Sequence, residues 1–456
     1  MKRAILLVLF GLLISLNSYA AEIGSWIQGE LVTAEDGTTS DSFSYSGIGG
    51  YFTAASDGSR MIVGAIGNDV NGFNLAGGAY IFDLVAGVWV QQQKLTPVDP
   101  ATAGEQTIFN GFLYGGAVSI DADIAVVGEF EYNNNGAGLS LGRHGQATVY
   151  RYNSIDELWD QTSILNAGAE EVFESSFGTS VTVDADGGPG GSERILVGGL
   201  GKTSEGGFWT GKAFVFDWNG TNWEMTSLKN PAPSNNDYFG AFSDLDGDTA
   251  IVGTGSANAL AGETWIFEYD GANWGAGISL HALIPANFNQ DRFGSAVAVD
   301  GDFAVVGAYN SNAGGDGTVY IFWNNPAGSW ELFDTLTDGD GDTDDQFGRF
   351  VEIEGNRILV SAPNNEVGAT TAAGSVYVYE FDGTDWLFKQ QINRSTPDSA
   401  DGFANGATFA NTQILVAAPH DDTNLVNQGA VVVFNVAGEN VFKDSFESTS
   451  EAAEAQ

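Results

Sequence analysis

Cysteine is absent from the 456 residues, which removes disulfides, thiolate metal ligands and a lipidated N-terminal cysteine from consideration. Basic residues are scarce: Lys and Arg number 16 against 59 Asp and Glu, a formal net charge of −43. Such a surface repels phosphate backbones, so nucleic acid is not an expected partner. It reads either as a solvating acidic coat or as a surface that favours cations. Histidine occurs only at His144, His281 and His420, and no H-E-x-x-H pair, G-x-S-x-G elbow or P-loop is present. After the first twenty residues no apolar run approaches a membrane span, so no membrane insertion is expected. Helical periodicity is missing too, and Pro at 10 is few beside Gly at 62, as many tight turns require.

What the chain has instead is one phrase repeated. Its clearest copy is DRFGSAVAVDGDFAVVGA (291–308), then GTVYIF (317–322), then SWELFDTL (329–336). The V-G-A element recurs with its glycine, or a replacement, at Gly64, Gly128, Gly198, Gly253, Gly307, Ser361 and Ala417. A period of about 55 residues with four short apolar runs per unit points to stacked small sheets. Val297 and Val299 alternate with small residues, Asp300-Gly301 supplies a tight turn, and Phe303 to Val306 is β-prone. Strands one and two should therefore form a hairpin. Strand three follows as GAYIF, KAFVF, GTVYIF, GSVYVY and GAVVVF. Turn dipeptides such as Asn219-Gly220, Asp270-Gly271 and Asp382-Gly383 lead into strand four. The fold class expected is all-β: a seven-bladed β-propeller of four-stranded antiparallel blades.

Strand four opens on a tryptophan and ends on an aliphatic residue: Trp89 to Leu95, Trp159 to Leu165, Trp330 to Leu336, Trp386 to Ile392. The even offset predicts that both residues lie on one face of the strand, packed on the neighbouring blade. The first copy of this element, Trp26 to Leu31, has no preceding strands of its own, and the seventh unit has no tryptophan after its third strand. The expectation is that the N-terminal strand completes the last blade and closes the ring, removing two sheet edges. The competing account makes 441–446 the last strand and leaves Trp26 outside.

Phe239-Gly240, Phe293-Gly294 and Phe347-Gly348, each followed by its V-G-A element (Val360-Ser361-Ala362 in the last case), resemble the FG-GAP repeat of integrin-α-like bacterial secreted propellers. The resemblance covers nearly all of 22–440. Phe43 without a following glycine, Tyr114-Gly115 and the insertion DADGGPGGSER (184–194) depart from it. It implies extracellular recognition or adhesion, in some relatives with bound calcium and in a minority beside hydrolytic domains; no catalytic residue stands out in the chain itself.

Residues 1–20 read as an export signal: Lys2-Arg3, an apolar stretch from Ala4 to Leu16, then Ser18-Tyr19-Ala20. The domains expected are the signal, a propeller over 21–440 and a C-terminal tail over 441–456. The destination expected is extracellular space, cell surface or periplasm, as a monomer.

In a propeller the one-to-two and three-to-four turns share one face, and the two-to-three loops and four-to-one connections share the other. The longer, more variable loops fall on the second face, where binding is expected. Phe73, Tyr132, Phe208 and Trp209 are aromatics in those polar loops, read as contacts for a sugar ring or protein partner, or as plugs folded over the ring. Two acidic stretches have the oxygen donors Ca²⁺ takes. One is Asp338, Asp340, Asp342, Asp344 and Asp345, with Arg349 where a bidentate Glu would be needed. The other is Asp244, Asp246 and Asp248, lacking the final acid of an integrin-like loop. Each reads as a calcium loop or a solvated turn. The function expected is a binding or adhesion module for a protein or polysaccharide. The alternatives are a glycan-active enzyme using a carboxylate pair in the channel, or a structural envelope component.

Overall fold

A computed structural model describes residues 25–37, 43–44, 53–69, 76–97, 114–130, 145–168, 176–201, 209–254, 261–284, 292–311, 316–339, 344–423 and 428–437. Its strands form seven four-stranded antiparallel sheets. Six sheets are consecutive in sequence, from β2 (Ala54–Ser56), β3 (Arg60–Ala65), β4 (Gly78–Val85) and β5 (Val88–Leu95) in blade one to β22 (Phe350–Glu354), β23 (Arg357–Ala362), β24 (Ser375–Phe381) and β25 (Trp386–Ile392) in blade six. Blade seven joins the ends: β26 (Ala407–Ala410), β27 (Gln413–Ala418) and β28 (Ala430–Val436) are completed by β1 (Trp26–Val32).

The closing register runs Trp26↔Val436, Ile27↔Asn435, Gln28↔Phe434, then Leu31↔Val432 and Val32↔Val431. Trp26 is buried against Ile392, Val376 and Leu359 of blade six. Gln390 clamps it from that blade, its Oε1 accepting the Trp26 N–H (2.7 Å) and its Nε2 donating to the Trp26 carbonyl (2.8 Å). On the other side, Glu30 accepts the Trp89 N–H (3.0 Å) of blade one, and Gln93 makes the same two-way clamp on Trp159 of blade two. The ring is thus shut by a strand laced to both neighbours.

The paired tryptophan and aliphatic residue do not share a face. Trp89 packs with Met61, Val63 and Leu415, toward blade seven, whereas Leu95 packs with Tyr114 and Trp159, toward blade two. Trp386 and Ile392 divide in the same way. A β-bulge is the cause: Phe82 pairs Gln91 and Ile81 pairs Gln93, so Gln92 is an extra residue that inverts the alternation. Thr162, Phe333 and Lys389 are the equivalents. In blade three the pair is Trp223 and Leu228, an odd offset with no bulge, and it again spans two interfaces. Each outer strand therefore reaches both of its neighbours.

The recurring glycine is fixed by close approach of successive blades. A Cβ on Gly307 would lie 2.1 Å from the Gly348 carbonyl oxygen of the next blade, a distance no side chain tolerates. Gly348 itself sits at φ 84°, where L-residues are strained. Blade one has Ser44 at the equivalent place, with φ 71°. The phenylalanine before it anchors the contact; Phe347 is fully buried, edge-on to Tyr377 at 5.2 Å.

Candidate functional site

The innermost strands leave one edge unpaired around a central channel of about 590 Å³. Unpaired N–H groups there cost free energy unless something accepts them. The chain supplies the acceptors from the preceding blade. Six blades carry an acid at the same level of the innermost strand: Asp57, Asp121, Asp246, Asp300 and Glu354 just before the hairpin turn, and Asp184 four residues before the end of the longer strand of blade three. Asp121 accepts the Ala185 N–H (2.8 Å), Asp184 the Gly247 N–H (2.7 Å) and Asp246 the Gly301 N–H (2.6 Å); Asp300 accepts that of Gly355. Gly247, Gly301 and Gly355 are the first turn residues of their blades, whereas Ala185 lies within the longer innermost strand of blade three.

A second tier lies two residues earlier. Ser119 accepts the Val183 N–H (3.0 Å), Asp244 the Val299 N–H (2.9 Å) and Glu352 the Phe409 N–H (3.0 Å), with the Thr408 hydroxyl also donating to Glu352 (3.0 Å). Burial raises Asp244 to about 7; the Val299 and Leu245 amides oppose the rise and Asp246 and Asp300 add to it. Burial raises Glu352 to about 8, against the Phe409 amide and Thr408, with Glu354 and Asp244 adding to the rise. Burial also raises Asp246 and Asp121. Arginines finish the stitching: Arg60 donates to the Ala122 carbonyl (2.9 Å), Arg194 to that of Gly247 (2.6 Å) and Arg357 to that of Asn411 (3.1 Å). The face bearing the short turns is thereby a rigid collar.

The sequence-derived site residues fall into this frame unevenly. Asp244 and Asp246 point their carboxylates at blade-five amides, and Asp248 pairs with Arg194 at 3.0 Å. The three thus lie in separate interactions. Among the described residues no group of three or more His, Cys, Asp or Glu is arranged to hold a metal ion. Asp340 and Asp342 lie outside the described residues, as do Phe73, Tyr132 and Phe208. Asp345 is buried, and Asp338 and Asp344 flank the undescribed stretch. Near His420, Asp421 is held with Asp401 by Arg394 in a buried ion triad.

Trp209 is the described member of the aromatic set. It lies half-buried at φ 56°, its ring 6.0 Å from that of Tyr238, while the Tyr238 N–H donates to the Trp209 carbonyl (2.9 Å). A two-to-three loop and a four-to-one connection thus meet in an aromatic pair on the loop face. A second cluster on that face was not singled out by the sequence. Arg349 lies 4.5 Å and Arg292 5.7 Å from the centroid of the Tyr309 ring. The two arginines are 57 residues apart, about one blade, and only the repeat register, placing Arg292 before Phe293 and Arg349 after Gly348, hints that both meet Tyr309.

A closed seven-bladed ring with one stitched face and one loop-bearing face is the architecture of a binding or structural module, and no helix among the described residues is long and apolar enough to cross a membrane. The FG-GAP repeat model matches residues 288–322 and 330–379, which include most of blades five and six. Over those residues the seven-bladed propeller is similar to the FG-GAP repeat. No curated protein matches it. Among solved structures it is similar to Saccharomyces cerevisiae Sqt1, with 12% identity, 84% of this chain and 82% of that one covered, and a TM-score of 0.42, a likeness that carries no argument.

Proposed function

We propose that the protein is a binding module that recognises a protein or polysaccharide through its loop face, outside the cytoplasm to which residues 1–20 would give it an exit. One observation supports this most: on the short-turn face arginines and carboxylates bond to neighbouring backbone, whereas on the loop face Trp209, Tyr238 and Tyr309 present half-buried rings. Amphipathic rings on a rigid frame are what recognition surfaces use, because little side-chain entropy is lost on binding. Calcium at 338–345 belongs to the same reading, as an ion ordering the connection into blade six.

The test is an array of glycans and surface proteins, read with and without millimolar Ca²⁺, beside turnover assays on whatever binds. Binding without turnover is expected, and Trp209→Ala should weaken it about tenfold or more, the usual effect of truncating an aromatic anchor. Turnover of a bound glycan would favour an enzyme instead; neither binding nor turnover would favour a structural component.

A further inference from the structure

Arg349 is the one basic residue among the described residues that line the channel; every other charged group there is Asp or Glu. It stands at the loop-face end, immediately before β22, and its guanidinium lies over Tyr309 together with that of Arg292. A guanidinium held against an aromatic ring is ordered by it, and its N–H edges suit a carboxylate accepted in bidentate fashion. Inward from this mouth the wall alternates hydroxyls with apolar side chains: Ser180 and Ser243 share a 2.7 Å hydrogen bond, Thr182, Ser119 and Thr408 follow, and Val181, Val297 and Val351 lie among them. Asp244 and Glu352, at mid-channel, are the carboxyls that burial holds toward the protonated form. The far mouth is the ring of turn carboxylates. The channel therefore carries an arginine at one end, mixed hydroxyl and apolar side chains within and carboxylates at the other.

We propose that Arg292, Tyr309 and Arg349 form an anchoring subsite for the carboxylate of an acidic sugar whose hydroxyl groups continue into the channel. This rests on the binding-module reading above and narrows it to uronate-type ligands. A chain of net charge −43 repels a long polyanion, and the carboxylate ring bars the exit, so the subsite takes the end of a short fragment. Sugar hydroxyls suit the serine and threonine hydroxyls of the wall, which already hold protein partners (Ser180 with Ser243, Ser119 with the Val183 N–H, Thr408 with Glu352) but keep further hydrogen-bonding capacity.

Isothermal titration with digalacturonate, its methyl ester and neutral digalactose tests this on the full protein. Binding of the acid is expected, at least tenfold weaker for the ester and for either Arg349→Gln or Arg292→Gln, with Arg349→Lys intermediate. Unchanged thermal melting of the variants would establish that the fold is intact, and two variants on separate connections guard against failure of one. No heat with the acid, or equal affinity for acid and ester, overturns the subsite. If the array above still finds a ligand in that case, the binding module stands and only the acidic-sugar subsite falls.

Discussion

Acidification from pH 8.5 to 5 should raise the melting temperature of this protein, the opposite of ordinary acid denaturation. Burial lifts Asp244 from 3.8 to about 7, Glu352 from 4.5 to about 8 and Glu129 from 4.5 to about 8. Glu129 lies between blade two and its loop face, bonded to the Gln146 amide at 2.7 Å, and Gln146 opposes the rise. A raised carboxyl in the folded state binds its proton where the unfolded chain has lost it. Its contribution is fully present below the unfolded values near 4 and is lost as pH rises through 7 to 8. Shifts of about three units correspond to roughly 4 kcal/mol per group. Asp244 and Glu352 are partly exposed to the channel, so that figure is a ceiling for them.

Relief of the negative surface charge acts in the same direction. The lower limit is set by turn carboxylates such as Asp270 and Asp382, which amide donors at Asn273 and Ala272, and at Asp385 and Thr384, hold below their usual range. Their contribution disappears only as pH falls below about 4. Asp244→Asn, Glu352→Gln and Glu129→Gln keep an acceptor oxygen while removing the titration. Each should stabilise the protein at pH 8.5, change little at pH 5 and flatten the profile measured by calorimetry. A melting temperature that falls on acidification from 8.5 to 5, or variants that leave the slope unchanged, would show that these carboxyls are not buried as described.

The second large effect belongs to Trp26. Its side chain is 5% exposed and fills the joint between blades six and seven, and its backbone is clamped by Gln390. Trp26→Ala should cost about 3–5 kcal/mol in urea unfolding, the range for a buried large aromatic. Trp223→Ala, at a partly exposed equivalent in blade three, should cost less. A Trp26→Ala loss below about 1 kcal/mol would place that ring outside the core.

Much of this fold was legible because the constraint is local and repeated. Alternating valines, the Asp-Gly turn and the V-G-A glycine each report a geometry imposed at every blade, and the orphan Trp26 element reported the closure. The bulges were not legible: an inserted residue changes the face of a side chain without changing composition, and only the contrast between Trp223–Leu228 and the longer spacings carries a trace of it. Asp244, Asp246 and Asp248 show a different limit. A carboxylate before a turn glycine suits a cation and a backbone amide equally well, and which one it meets is decided by the next blade, some 55 residues away, where Val299 and Gly301 lie. The Arg292, Tyr309 and Arg349 cluster is assembled by the ring, so no stretch of sequence contains it.

The closed ring is the premise on which the two unlike faces rest, and a chain without cysteine allows it to be tested cleanly. Ile27 and Asn435 face each other across the closing pair, and neighbouring Cβ atoms in such a pair lie within disulfide reach. The double variant Ile27→Cys, Asn435→Cys should oxidise to one intramolecular disulfide, detected by thiol titration and by mass spectrometry of the cross-linked peptides, and should melt well above its reduced form. Two thiols that stay free in the folded monomer, or that join only between chains, would contradict the closure.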